Sequence, residues 1–189
     1  MIRAMSARTM SHLVVALGAL VSLSGAALAQ GGAAPVPPTV PVPDFRTWVY
    51  IGGGLFSSAD GPNTRFSNVF VEPTAYAAYM KTGTWPDGTV VYSDKRRAIT
   101  TLPITANAGW GQTGDAAGGE VEIKDAKNRR WMYYQAGAGE TVAKAVADQS
   151  ACTTCHTTHA AVDSIFVQFY PTLVDAARSH GTFHAGSSR

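Results

Sequence analysis

The sequence contains little charge, only two cysteines and no long run of basic residues. Asp, Glu, Lys and Arg make up 15% of its 189 residues, and 15 basic residues nearly balance 13 acidic ones. Nucleic-acid-binding proteins concentrate Lys and Arg on one surface, so this composition excludes nucleic acid as a partner. A hydrophobic content of 46% excludes a disordered chain. The sequence therefore predicts one globular domain, long enough to bury a core without disulfide bonds.

The first 29 residues have the composition of an export signal. Arg3 and Arg8 precede an apolar stretch over 13–27, and small side chains at Ala27 and Ala29 are typical of a cleavage site. The stretch is short and rich in Ser, Gly and Ala, which favours a cleaved signal peptide over 1–29 and no membrane span after cleavage. An uncleaved anchor is the alternative. Removal of the two arginines leaves 13 basic and 13 acidic residues. We expect a periplasmic protein with a net charge near zero.

Proline content and hydrophobic periodicity predict the organisation of the rest of the chain. Five prolines between small residues predict an extended linker over 30–43. The domain is expected over 44–179 and is followed by a flexible tail over 180–189. Strands are predicted over 66–71, 89–92, 118–124 and 130–135, and helices over 74–81, 140–149 and 172–179. These elements predict an α+β fold that contains an antiparallel sheet.

Both cysteines lie in one short motif, Cys152-Thr-Thr-Cys155-His156. Two thiols at this spacing can form thioether bonds to the two vinyl groups of one haem, and the histidine that follows can then ligate the iron. The motif therefore predicts a covalently bound haem c, held by Cys152 and Cys155, with His156 as the iron ligand. Export supports this interpretation, because covalent haem attachment and the signal peptide indicate the same compartment.

Three other interpretations of the same residues are weaker but stay open at this point. A thioredoxin-like redox pair requires a βαβ setting that the sequence does not show. A disulfide between Cys152 and Cys155 is compatible with an exported protein. A zinc site that combines these cysteines with His156 and His159 lacks the long loop that separates ligand pairs in zinc modules.

Further segments of the domain resemble the cytochrome P-460 family, which includes cytochrome c′-beta. They are NVFVEPTAY over 68–76, TGTWPDGTV over 82–90, VEIKD over 121–125, the haem motif over 152–156, Asp163, and FVQFYP over 166–171. The resemblance extends from about Phe45 to about Ala177. It implies a periplasmic mono-haem c-type cytochrome, commonly a homodimer, built on an antiparallel sheet with flanking helices. It also implies that His156 is the proximal ligand and that the distal side of the iron is open or weakly occupied.

One position departs from the hydroxylamine-oxidising members of the family. In those members a lysine that is cross-linked to the haem lies six residues after the aspartate of the Asp-Gly-Thr-Val turn, and here that position is Ser93. Lys95 faces the same side of the strand, but its Cα is displaced by about 6.6 Å. A register shift or a bulge that brings Lys95 back to this position is the open alternative. Ser93 therefore favours a protein that binds nitric oxide or similar small ligands, or passes single electrons to an unidentified redox partner. Oxidation of hydroxylamine or nitric oxide is the alternative, and no catalytic residue is assigned.

Other histidines, methionines and aromatic residues are weaker candidates for the haem pocket. Met80 and Met132 are better explained by core packing, and His159 is too close in sequence to His156 to reach the other side of a haem. His180 and His184 are expected in the tail. Phe66 and Phe70 share one strand face, where they would either cap the distal side of the haem or pack in the core.

Overall fold

The computed structural model describes residues 34–57, 64–100 and 109–184. The predicted signal peptide over 1–29 lies outside the described residues, as do 30–33 of the predicted linker and 185–189 of the predicted tail. No helix within the described ranges is long and apolar enough to cross a membrane.

Within these described ranges, seven antiparallel strands form a single sheet. In chain order they are β1 (Thr39–Pro41), β2 (Val49–Phe56), β3 (Arg65–Val71), β4 (Val90–Ile99), β5 (Gly111–Asp125), β6 (Arg130–Ala136) and β7 (Val142–Ala145). The order across the sheet is β1-β7-β6-β5-β4-β3-β2, so β2 to β7 form a meander in which each strand pairs with the next along the chain. The short β1 pairs with β7 at the edge.

Three helices accompany the sheet: α1 (Pro73–Thr82), α2 (Gln149–His159) and α3 (Pro171–Ser179). The carboxylate of Glu72 caps α1 by accepting hydrogen bonds from the backbone N–H groups of Thr74 and Ala75, both at 3.2 Å. Gly83 ends α1 in the left-handed conformation, with φ of 70°. Pro171 occupies the first turn of α3, as the sequence predicts. The predicted α+β class, with an antiparallel sheet and flanking helices, is confirmed.

The two faces of the sheet bury separate cores. On one, called here the helix face, Val69, Val71 and Tyr133 pack with residues of α1, of α3 and of the segment after α2. On the opposite face, Tyr92 and Tyr134 pack with partly buried residues that include Phe45 and Trp48. Side chains alternate between the faces along each strand, so the position of a residue in its strand decides which core it joins.

The helix predicted over 140–149 is wrong. This part of the chain forms the turn after β6, then β7, and α2 begins only at Gln149. Gly139 has φ of 76° in the turn, and the Glu140 carboxylate accepts a hydrogen bond from the Gly137 N–H at 2.8 Å. Ala143 is fully buried where β7 pairs with the strands on either side. Pairing at the sheet edge therefore outweighs the helical propensity of this stretch.

Both predicted borders of the domain differ from the structure. Before residue 44, Val40 pairs with Ala143, and the backbone N–H of Ala145 donates to the carbonyl of Pro38 at 2.9 Å. Proline lacks an N–H group but is tolerated on such an edge strand. After residue 179, the Thr182 hydroxyl donates to the Gly83 carbonyl at 2.7 Å. Parts of the predicted linker and tail thus pack on the domain.

Candidate functional site

The Cys-Thr-Thr-Cys-His motif lies on α2, which packs against β6 on the helix face of the sheet. Positions three and four residues apart fall on the same side of a helix, so Cys152, Cys155 and His156 form one cluster. Neither thiol is in a disulfide; Cys152 is partly buried and Cys155 is exposed. The helix begins at the capping residue Asp148, whose carboxylate accepts from the Ser150 N–H at 2.9 Å.

A cavity of about 270 Å³ lies between this cluster and the sheet. The helix contributes Cys152, Cys155 and His156 to its lining, and the strands β5 and β6 contribute polar and aromatic side chains. These strand residues include Glu120, Glu122, Tyr133 and Gln135. The motif therefore faces an opening in the protein, with both thiols and the imidazole at its wall.

The imidazole of His156 is held in a defined orientation. Its Nδ1 lies 2.8 Å from the backbone carbonyl oxygen of Ser164, and its ring contacts Tyr133 and Phe166 at centroid distances of 4.8 and 4.7 Å. Burial lowers the pKa of His156, while the Ser164 carbonyl and the Glu120 carboxylate act in the opposite direction. A carbonyl can only accept a hydrogen bond, so Nδ1 carries the proton of the neutral ring. The lone pair of Nε2 is then available to a metal.

Two carboxyl groups of β5 lie beside the imidazole. The Oε2 of Glu122 is 3.8 Å from the Nδ1 of His156, and within the described part of the chain this buried oxygen has no hydrogen-bond partner. Burial raises the pKa of Glu122 to about 8; the nearby Glu120 also raises it, and Lys95 lowers it. Glu120 itself forms an ion pair with the Lys95 ammonium. The cavity thus contains one carboxyl group that is paired with a lysine and one, that of Glu122, whose buried Oε2 accepts no hydrogen bond from the described residues.

The strand register places Ser93 and Lys95 on the cavity side of the sheet. Ser93 lies opposite Glu120 in the neighbouring strand, and its hydroxyl shares a hydrogen bond with the Ser67 hydroxyl. Lys95 lies opposite Gly118, and its ammonium reaches Glu120. The prediction that both side chains face the same side is confirmed.

A second cavity, of about 490 Å³, shares Gln135 with the first. Three basic residues, Arg65, Lys95 and Arg97, are among its lining. The ion pair between Lys95 and Glu120 joins a residue of one cavity to a residue of the other. Cofactor pockets usually measure about 300–1,000 Å³, a range that the first cavity alone does not reach.

The model of the cytochrome P-460 family matches residues 42–167, two thirds of the chain. The chain belongs to the cytochrome P-460 family. The match includes the whole Cys-Thr-Thr-Cys-His motif and every residue that lines the first cavity. The family assignment made from the sequence is confirmed, and membership makes this protein a haem-binding cytochrome that contains iron. No curated protein matches the chain at a significant level.

The residues at the cavity fit the haem that members of the cytochrome P-460 family bind. A neutral imidazole with a free Nε2 is a strong ligand for haem iron, and two free thiols stand four residues and one residue before it on the same helix. A zinc site is less compatible, since no group of three or more His, Cys, Asp or Glu within the described ranges could hold a metal ion. The chemistry of this donor set favours haem over zinc.

Most of the weaker candidates lie away from the cavity. Phe70 packs against Phe45 on the opposite face of the sheet, with ring centroids 4.9 Å apart, and Phe66 points to that face as well. The interpretation that these two rings cap a haem is therefore wrong. Met132 belongs to the same opposite core, as predicted, whereas Met80 is exposed on α1, so the prediction that it packs in the core is wrong. Within the described part of the chain, the lining of the first cavity contains no methionine and no histidine other than His156.

Sequence reasoning missed the polar residues of β5. The alternation over 118–124 predicts a half-buried strand that places Glu120, Glu122 and Lys124 on its solvent-facing side. That side lies beneath α2 and the segment after it, where Glu122 is only 17% exposed and Lys124 15%. The signal that could have identified them is the presence of three charged residues at alternating positions of one strand in a chain that carries a haem motif. No sequence signal could have identified Ser164 as the partner of His156, because the acceptor is a backbone carbonyl, which every residue has.

Proposed function

We propose that this protein is an exported mono-haem c-type cytochrome in which Cys152 and Cys155 form the thioethers and His156 is the proximal ligand. The observation that carries the proposal is the bond between the Nδ1 of His156 and the Ser164 carbonyl, formed beside two free thiols at the wall of a cavity. That bond leaves Nε2 free for iron. The haem, when bound, supplies an iron that exchanges single electrons and binds small ligands.

The distal side of the iron is proposed to be open, so that the protein binds nitric oxide or a similar small ligand. The support is the composition of the cavity, whose described lining offers His156 and no second histidine or methionine. A sixth protein ligand would instead favour electron transfer alone. Single-electron exchange with an unidentified redox partner is compatible with an open site and forms part of the proposal.

The compartment and assembly follow from the same proposal. We infer a signal peptide over 1–29, a periplasmic haem domain after it and, from the family resemblance, a homodimer. Export and covalent haem attachment belong to the same compartment, and the equal numbers of acidic and basic residues after residue 29 give no preference for an anionic surface.

The ferrous absorption spectrum tests the open distal site. We expect five-coordinate high-spin haem in the absence of added ligand and a new spectrum on addition of nitric oxide, because His156 is the only histidine, and no methionine is present, among the described residues that line the cavity. The variants Met80→Leu and Met132→Leu are controls that should leave both spectra unchanged. A six-coordinate low-spin ferrous spectrum before any ligand is added would contradict the open site.

A second candidate function, oxidation of hydroxylamine or nitric oxide, is favoured by one observation. Lys95 faces the cavity side and reaches Glu120, a lining residue, although Ser93 occupies the position of the cross-linking lysine. A lysine bound to the haem edge would distort the ring, and such distortion is one way in which a protein tunes haem chemistry. Among the residues that the structure describes, Lys95 in its ion pair with Glu120 is the basis for that candidate.

Peptide mass spectrometry and a hydroxylamine assay separate the two candidates. We expect no peptide in which haem is joined to Lys95 and negligible turnover with an artificial electron acceptor, because Lys95 is displaced by one side-chain repeat along the strand. Ser93→Lys should gain a cross-link or turnover, whereas Ser93→Met, of similar length but without an amine, should gain neither. Wild-type protein with haem on Lys95 and turnover above that of free haem would establish the oxidase.

A further inference from the structure

The Ser164 carbonyl that binds His156 belongs to a tight turn with an unusual sequence. Val162 and Ile165 exchange two backbone hydrogen bonds, at 3.3 and 2.8 Å, around Asp163 and Ser164. Both central residues have positive φ, 47° and 62°. Turns of this type favour glycine, asparagine and aspartate, so Asp163 suits its position, whereas Ser164, with φ of 62°, does not. A serine in this conformation persists only when its surroundings hold it, and such strain often accompanies a functional site.

Lys124 of β5 holds this turn from the side of the sheet. Its ammonium donates to the Asp163 carboxylate and to the backbone carbonyl of Trp85, each at 2.5 Å. Val162 and Ile165 are both 2% exposed, so the ends of the turn are anchored in the core on the helix face. The position of the Ser164 carbonyl is thus fixed by the two buried ends of the turn and by an ion pair across to β5.

We propose that Lys124 and Asp163 are positioning residues for the proximal ligand: their ion pair keeps the Ser164 carbonyl 2.8 Å from the Nδ1 of His156. This inference rests on the proposed ligation of iron by His156. A partner that accepts the Nδ1–H proton fixes the tautomer and increases the electron donation of the ring through Nε2. Stronger donation stabilises ferric iron relative to ferrous iron. The ion pair therefore acts on the reduction potential of the haem without touching it.

Reduction potentials of the haem-loaded protein test this role. Asp163→Asn removes the charge from the turn and leaves the bond from Lys124 to Trp85 intact, whereas Lys124→Met removes both. We expect either variant to weaken the preference of His156 for ferric over ferrous iron about tenfold. The reduction potential of the haem should therefore rise by about 59 mV, the value for a one-electron couple. The ferrous iron–histidine stretching band in the resonance Raman spectrum should move to lower frequency.

Two variants serve as controls. Ser164→Ala keeps the backbone carbonyl and should retain the wild-type potential. Lys124→Arg can still pair with Asp163 and should restore the wild-type values if the ion pair is the cause. Potentials and stretching bands that are unchanged in both Lys124→Met and Asp163→Asn would overturn this inference alone, provided that the haem resists extraction. Haem that is extracted from the wild-type protein would overturn the proposed function and, with it, this inference.

Discussion

Replacement of both Cys152 and Cys155 by alanine will abolish covalent haem attachment, so that acid and organic solvent extract all of the haem. The wild-type protein will retain all of it. The reason is that these are the only two cysteines of the chain, and both stand free on one side of α2 at the cavity. Each thioether requires a thiol, and no other residue of the chain supplies one. Haem staining of the denatured proteins on a gel measures the difference.

Single variants and a neighbouring control make this test specific. Cys152→Ala and Cys155→Ala each leave one thiol and should retain a haem held by one bond. Thr153→Ala, on the same helix between the two cysteines, should behave as wild type. Haem that stays bound to the denatured double variant would show that another residue holds it, and the assignment of both cysteines would fail.

Replacement of His156 by alanine will remove the native absorption spectrum while the haem remains covalently attached. Among the described residues that line the cavity, His156 supplies the only imidazole, and the Ser164 carbonyl orients it. Loss of the side chain leaves iron without a strong protein ligand but does not remove the thiols. The measurement is the ferric and ferrous absorption spectrum, with and without added imidazole, which should restore a histidine-like spectrum.

His159→Ala is the matched control for this variant. It removes a histidine from the same helix, three residues away, at a position that does not line the cavity. Its spectrum should equal that of the wild type. An unchanged spectrum in His156→Ala, or a loss in His159→Ala, would mean that the proximal ligand is assigned to the wrong residue.

The four central strands of the sheet and two of the helices could be predicted because their residues alternate or cap in ways that depend on local chemistry alone. Alternation along β5 and the Glu72 and Gly83 borders of α1 are examples. The stretch over 140–149 could not, because its Ala-rich composition favours a helix and only the pairing of β7 with β6 and β1 makes it a strand. That pairing involves residues about 100 positions away at Thr39–Pro41.

The residues of the candidate site also fall into those that the sequence could predict and those that it could not. Cys152, Cys155 and His156 could be predicted from their spacing, which reflects the geometry of the haem itself. The partner of His156 could not, because the Ser164 carbonyl reaches it only through a strained turn that Lys124 holds from another strand. The sequence could not decide whether Phe66 and Phe70 cap the haem or pack in the core, since alternation predicts that they share a face but not which face meets α2.

The pyridine haemochrome spectrum of the purified wild-type protein tests the central claim most directly. Pyridine displaces protein ligands from the iron in alkali, so the position of the α-band reports only the substituents of the ring. A band at the position of haem with two thioether-substituted side chains is the predicted result. A band at the position of protohaem, with both vinyl groups intact, would contradict covalent attachment through Cys152 and Cys155.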